Sequence, residues 1–338
     1  MLQTAQLGPL FSAFIAALFS FALSGLAAWY ARRSGLLDHP GERHSHNLAT
    51  PRGGGAGLVA AFLISALLLT GPDKPASWVF CMMPGMAVIA ILGAWDDHRS
   101  LSVRFRLSVQ LAVSAALVWY AANAGWMEGA IPMVLGGFFV IWMTNLYNFM
   151  DGSNGMAALQ GIFGGLILAF LFHGAGDGWF SSISLLLAAC CAGFLPWNTG
   201  RAKVFLGDVG SLALGFIFAA LLLYGAGTGA FGIPVAVLVM LLFLTDATLT
   251  LAARVIRRER WYNPHRQHLY QRLIAHGWTH GRVALLYQVI NVTLILPGIV
   301  TAVRFPALAW AVTLVSITLC VLGWLVLTRR FAEPVQAG

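Results

Sequence analysis

Eleven stretches of mostly apolar residues follow one another along this chain, at approximately 8–30, 55–71, 78–94, 104–122, 130–143, 155–173, 180–196, 209–225, 231–251, 283–302 and 306–328. A bilayer core about 30 Å thick takes roughly 20 apolar residues per helix, and inside it only helices or closed barrels satisfy every backbone N–H and C=O. The runs are continuous rather than alternating, so the sequence predicts helices. With 59% hydrophobic residues, 9% charged residues and a mean hydropathy of +0.79, the chain lies outside the balance of a soluble domain. The expected fold is all-α and polytopic: one integral membrane domain over residues 1–338 with about eleven transmembrane helices.

The basic residues orient it. With the N-terminus periplasmic and the C-terminus cytoplasmic, 18 of the 20 Lys and Arg fall in cytoplasmic segments, leaving only Lys74 and Arg304 outside. The pI of about 9.8 is then a product of topology, helped by anionic headgroups or phosphorylated ligands, and requires no nucleic acid. The first basic residues, Arg32 and Arg33, follow the first apolar run, as in an uncleaved anchor. Cys81, Cys190, Cys191 and Cys320 lie in apolar spans without metal-type spacing and read as small core residues.

Twelve carboxylates remain, and their placement is the informative part. "GAWDDHRSL" sets Asp96 and Asp97 before the fourth span, "NLYNFMDGSNG" sets Asp151 before the sixth, and "FLGDVGSLALG" sets Asp208 before the eighth, all on the expected cytoplasmic side. Each acid taken alone is adequately explained as a helix N-cap or first-turn residue. Capping does not explain two adjacent like charges near a membrane, which call for a cation or a base role. Hard divalent cations take one or two carboxylates together with substrate phosphates. Gly152, Gly155, Gly207 and Gly210 flank the acids, where a turn or a close approach to a phosphate favours glycine.

Basic groups come from "GERHSHNLATPRGGGAG", with Arg43, His44, His46 and Arg52, and from the loop holding Arg254, Arg257, Arg258, His265, Arg266 and His268. Topology accounts for the arginines, but not for eight of nine histidines on one side. Together these groups predict a metal-dependent transfer of a phosphate or diphosphate at the cytoplasmic membrane surface. Asp246, inside the ninth span, is either a further functional acid or a partner for Arg254. A secondary transporter with ion-coupling carboxylates is the alternative of a different class; the clustering of acids at one face and the lack of an evident inverted repeat weigh against it.

The motifs "AWDDHRSL", "NLYNFMDGSNG", "FLGDVGSLALG" and "NPHRQHLYQRL", in this order on eleven spans, resemble the polyprenyl-phosphate N-acetylhexosamine-1-phosphate transferases (glycosyltransferase family 4) over nearly the whole chain. The resemblance implies transfer of an N-acetylated amino sugar 1-phosphate from a UDP-sugar to undecaprenyl phosphate with release of UMP. It also implies Mg²⁺, or Mn²⁺, as cofactor and the bacterial inner membrane as location, and leaves room for a homodimer. Carried over residue by residue, Asp208 is a principal metal ligand. Asp96 and Asp97 support the metal or deprotonate the lipid phosphate. Asp151, with Asn145 and Asn148, forms the nucleotide site and the floor of an active-site cleft on the cytoplasmic face, joined by Gly207, Arg52, His46 and Asn154 as substrate-binding positions. His268, His265 and Arg266 contact the donor diphosphate or sugar.

Two departures narrow the reading. Asn154 stands where the family often has a second Asp, and "HLYQ" at 268–271 keeps only the first of the three histidines frequent in the late loop. The second pattern is similar to the O-antigen-initiating branch and unlike the phospho-MurNAc-pentapeptide translocases of peptidoglycan synthesis.

Overall fold

The computed structural model describes residues 8–38, 49–70, 74–259 and 265–332. The chain is a multi-pass bundle of α1 (Pro9–Ser34), α2 (Gly55–Leu68), α3 (Met83–His98), α4 (Val103–Asn123), α5 (Ala130–Phe149), α6 (Met156–Gly174) and α7 (Gly178–Asn198). It continues through α8 (Gly207–Gly227), α9 (Ile233–Val239), α10 (Leu241–Ile256), α11 (Leu269–Ala275), α12 (His280–Ile290), α13 (Leu296–Arg304) and α14 (Ala309–Arg330). A two-residue antiparallel pair, β1 (Leu37–Asp38) with β2 (Thr50–Pro51), closes the segment ahead of α2.

Each expected span is helical, although not all have spanning length. Among the described residues nine helices are long and apolar enough to cross a membrane, and a tenth is counted if α9 and α10, bent by 78° at their junction, form one span. α2 runs for only 14 residues. The runs at 78–94 and 130–143 extend past their apolar ends, so α3 takes in Asp96 and Asp97 and α5 takes in Asn145 and Asn148. Single π turns at Trp78–Met82 and Asn291–Ile295 lead into Pro84 and Pro297, where the ring removes a helical donor.

α8 is the centre of the bundle. It is apolar on every side, and every residue from Val209 to Leu222 is buried, as a helix without a polar face requires. α3, α5 and α2 pack around it. Small residues permit the approach: a Cβ on Gly93 of α3 would collide with the Asp208 backbone, and one on Gly215 of α8 would strike α5 at Met143 and Thr144.

The α9–α10 bend frees a carbonyl that no water reaches. Gln160 of α6, fully buried, donates to Val239 O at 3.1 Å, and its own oxygen accepts from Asn291 Nδ2 at 2.9 Å. A side chain inserted at the break thus replaces the missing helical bond. Gln160→Leu orphans the Val239 carbonyl and leaves Asn291 Nδ2 only its longer bond to Gln288 Oε1 at 3.4 Å, which costs about 1–3 kcal/mol for a buried polar atom. The expected result is an apparent melting temperature in detergent several degrees below wild type with unchanged helical circular dichroism; an unaltered melting curve would show that the break needs no such partner.

Candidate active site

The site begins with a helix start. The first amides of α8 have no partners within the helix. The Asp97 carboxylate, at the end of α3, takes two of them: Asp208 N at 3.1 Å and Val209 N at 3.2 Å. Arg52 Nε lies 3.2 Å from the same carboxylate, whose side chain is 3% exposed. Gly207 makes the fit by standing at φ 74°, with Asp97 Oδ2 only 2.6 Å from where its Cβ would be. The adjoining backbone is laced together by Gly54 N to Phe205 O (2.9 Å), Gly55 N to Leu206 O (2.8 Å) and Phe205 N to Pro51 O (2.8 Å). "PRGGG" and "FLGD", more than 150 residues apart, therefore form one platform.

Asp208 rises from it. Asn148 of α5 donates to its Oδ1 at 2.8 Å and to Ser211 Oγ at 2.9 Å. Arg106 of α4 reaches 2.6 Å from Asp96 Oδ2 and 3.7 Å from Asp208 Oδ2, and Leu101 N donates to Asp96 Oδ1 at 2.7 Å. Arg106 Nη1 thus lies between the Asp96 and Asp208 carboxyl groups. Two carboxyl groups so close need a shared proton or a cation between them. Gln110 of α4 and Asn145 of α5 tie the flanking helices, with Asn145 Nδ2 to Gln110 Oε1 at 2.7 Å.

A second buried aspartate supplies the facing side. Asp246 of α10 accepts from Leu269 N (2.8 Å) and Tyr270 N (3.4 Å) at the start of α11, from Tyr287 Oη (2.7 Å) and from Trp324 Nε1 (3.1 Å). This fixes His268, the N-cap of α11, with Nδ1 at 3.9 Å from Asp246 and its ring 4.9 Å from that of His265. Tyr270 Oη donates to Phe149 O at 2.9 Å and sits on Gly152, where any side chain would collide with it. Arg254 does not pair with Asp246, as the sequence allowed; Glu259 takes it at 2.7 Å.

Between these two sides lies a cleft of about 580 Å³. Its polar floor is Asn145, Asn148, Asp151, Asp208, His265 and His268, with Arg106 at the edge; its apolar wall comes from α4 and α5, through Val103, Leu107, Phe138, Ile141 and Trp142. Burial pushes the Asp151 carboxyl well above the usual range, and the charges of Asp208 and Asp97 add to it. Burial, followed by His268, Arg254 and Arg257, draws His265 down to about 3, so its imidazole is neutral at ordinary pH. Burial also lowers His268.

Among the described residues, Asp97 meets Arg52, Asp96 and Asp208 meet Arg106, and Asp151 shares the cleft with Asp208, four acids against two bases. That deficit and the purely oxygen donor set fit a hard divalent cation. Among the described residues no three His, Cys, Asp or Glu side chains form a ready cage. A magnesium-type ion needs none, because it keeps waters and borrows oxygens from substrate phosphates.

Of the residues singled out from sequence, Asn145, Asn148, Asp151, Asp208, His265 and His268 line the cleft. Asp96, Asp97, Arg52 and Gly207 stand directly behind Asp208. Asp97, expected also as a metal ligand, has both oxygens engaged by the α8 amides and Arg52. Asn154 faces away, its Nδ2 donating to Gly200 O at 2.9 Å, and Arg266 does not line the cleft. His46, with Arg43 and His44, lies outside the described residues. Sequence reasoning missed Arg106, counted only as a topological charge. Its helical stripe with Val103, Leu107 and Gln110 was the available signal, since Gln110 is a polar residue inside an apolar span.

A family model described as glycosyl transferase family 4 matches residues 79–226, the stretch holding Asp96, Asp97, Asp151 and Asp208. The chain is 30% identical over 312 residues to the decaprenyl-phosphate N-acetylglucosaminephosphotransferase of Mycobacterium leprae, covering 80% of this chain and 78% of the relative. It is 28% identical over 281 residues to the probable undecaprenyl-phosphate N-acetylglucosaminyl 1-phosphate transferase of Bacillus subtilis, covering 77% and 76%. To the phospho-N-acetylmuramoyl-pentapeptide-transferase of Neisseria meningitidis it is 25% identical over 347 residues, covering 86% and 93%. A likeness this long, shared by proteins whose names all describe transfer of a sugar phosphate, settles the family: the chain belongs to the polyprenyl-phosphate N-acetylhexosamine-1-phosphate transferases.

Proposed function

We propose that the protein transfers an N-acetylated amino sugar 1-phosphate from a UDP-sugar to undecaprenyl phosphate, releasing UMP, at the cytoplasmic face of a bacterial inner membrane. This would be the initiating step of a cell-surface glycan such as an O-antigen. The single observation that carries the reading is the two-sided cleft, with carboxylates, amides and imidazoles on its floor and aliphatic and aromatic side chains on its wall. A reaction between a water-soluble phosphorylated donor and a lipid acceptor needs both. The names of the Mycobacterium leprae and Bacillus subtilis relatives favour N-acetylglucosamine as the sugar. The 18 of 20 basic residues on one side favour a cytoplasmic cleft, a periplasmic N-terminus and eleven crossings.

In the proposed reaction a phosphate oxygen of the acceptor attacks the β-phosphorus of the donor, the bond from that phosphorus to the bridging oxygen breaks, and UMP leaves with the electron pair. Asp208 and Asp151 would hold Mg²⁺ together with substrate oxygens, and the ion would neutralise the diphosphate charge that builds up during transfer. Asn148 aims Asp208, and Arg106 offers a guanidinium to a phosphate at the cleft edge. The neutral imidazole of His268, gripped through Asp246, is placed to hydrogen-bond the donor diphosphate or sugar. Asp96 and Asp97 act as positioning residues through Arg106 and the α8 amides. Positioning and charge stabilisation dominate phosphoryl transfer, and these are what the site offers. Ion-coupled transport has no comparable support, since Asp246, the acid inside the ninth apolar run, is engaged in holding α11.

Membranes carrying the protein, incubated with a panel of UDP-sugars and undecaprenyl phosphate, should release UMP and form one lipid-linked product identifiable by mass; no product from any donor would overturn the assignment. Asp208→Asn is isosteric and keeps the Asn148 contact. Its turnover should fall by at least about a hundredfold, the scale of losing one charge-stabilising group, while its elution and melting profiles stay those of wild type. Full activity in that variant would remove Asp208 from the mechanism. Chelation with EDTA should stop UMP release and added Mg²⁺ restore it, with Mn²⁺ as the second metal to try; turnover that persists under chelation would rule out the cation.

A further inference from the structure

A second pair of recesses lies on the other face of α10, and no residue lines both them and the reaction cleft. The first, about 250 Å³, is basic: Arg257, Arg272 and Arg329 surround it with Gln267, Thr250 and Thr328. The acid in contact with this group is Glu259, which accepts from Arg257 Nε at 2.9 Å but also binds Arg254 at 2.7 Å and Gln267 Nε2 at 3.1 Å. Arg272 Nε donates to the Gln267 backbone at 2.9 Å, which orders that side chain toward the recess. Among the described residues positive charge is therefore in excess here.

The second recess, about 220 Å³, is an apolar crevice between α10, α12 and α14, bounded by Leu286, Ile290, Leu294, Leu319, Gly323 and Trp324. Trp324 lines both recesses. The basic one lies at the Arg329 end of α14, and Leu319, Leu322, Leu325 and Val326 along that helix are exposed, as on a lipid-facing surface. A cluster of arginines at the end of a transmembrane helix, opening into an apolar crevice along that helix, has the two-part chemistry of an amphiphile whose head is an anionic phosphate.

We propose that this double recess binds one anionic phospholipid, with its phosphate among Arg257, Arg272 and Arg329 and an acyl chain along the crevice past Trp324. In the proposed reaction the acceptor belongs in the other cleft, which Asp151 and Asp208 line. Occupancy here also bears on the reaction segment, because the crevice wall includes Asp246 and Leu269, and Trp324 donates to the carboxylate that holds α11.

The test uses the full chain in micelles doped with equal amounts of phosphatidylglycerol and phosphatidylcholine, with bound lipid counted by native mass spectrometry and folding followed by thermal unfolding. Wild type should retain phosphatidylglycerol in preference to phosphatidylcholine. Arg329→Gln should reduce that preference by about fivefold, the contribution of one arginine near an anionic headgroup. Gly323→Leu should reduce it while leaving all three arginines in place. A Cβ at Gly323 meets nothing within 4 Å, so the added side chain enters the crevice without a backbone clash. Equal retention of the two lipids by wild type, or unchanged retention in both variants, would overturn the proposal. A shift in melting temperature with inorganic phosphate alone that persists in Gly323→Leu, without lipid preference in wild type, would replace the lipid with a free phosphate and overturn it equally. The readout does not depend on turnover, so failure here is separable from failure of the proposed transfer.

Discussion

The contact on which the rest depends is a carboxylate against the start of a helix in a place without water. Asp97 ends α3, its oxygens receive the Asp208 and Val209 amides of α8, and Arg52 neutralises the remainder. Each component alone is costly: an isolated buried carboxylate, free first-turn amides, and a glycine at φ 74°. Together they satisfy one another, and they fix Asp208 to within the tolerance of a hydrogen bond. The same device recurs where Asp246 receives the first amides of α11 and sets His268 and Tyr270. Two buried aspartates thus hold two helix N-termini facing one cleft. The side chains that touch substrate in the proposed reaction are carried on those helices or beside them.

Glycine is the steric counterpart of that electrostatic arrangement. Gly93 lets the backbone of α3 lie against Asp208, Gly207 leaves room for the Asp97 carboxylate, and Gly152 leaves room for Tyr270. A helix apolar on all sides, such as α8, gains nothing from lipid exposure and finds its partners by close backbone approach. The acid cluster follows from this packing, since α3 meets α8 so that the end of one lies beside the start of the other.

Much of this was legible in the sequence because membrane insertion constrains it so tightly. The apolar runs located every long helix, and the three acidic motifs proved to be neighbours. What could not be read was which partner each acid would choose. Asp96 and Asp97 look like caps for the helix that follows them, yet Ser102 caps α4 and the aspartates belong to the end of α3. Arg106 was hidden by its usefulness to topology, and the contacts of Arg52 with Asp97 and the Asp96 carbonyl, and of Gly207 with Asp97 and Gly53, join residues too far apart in sequence to be read from it. Arg254 lay eight residues from Asp246 and found Glu259 instead, because the α11 amides, Tyr287 and Trp324 had already filled that carboxylate. In each case the sequence specified the residue type and its depth, and long-range packing chose the partner.

The stripe Phe138, Ile141, Trp142, Asn145, Asn148 and Phe149 on α5 shows how one helix serves two solvents. At helical spacing these residues face one way, and along the axis they pass from aromatic and aliphatic to amide. α4 adds Arg106 between the apolar Val103 and Leu107, and Gln110 bonded across to Asn145. The polar end of each stripe is tolerable near apolar surroundings only because its groups are bonded to each other, to Asp208 or to Asp96. The apolar end needs no such partners and is free to accept a hydrocarbon chain. A phosphorylated lipid drawn along that gradient would bring its phosphate to Asp208 while its chain stays among side chains chemically like the bilayer. The order from aromatic and aliphatic to amide along α5, from Phe138 to Asn148, suits the water-soluble and lipid substrates of the proposed reaction.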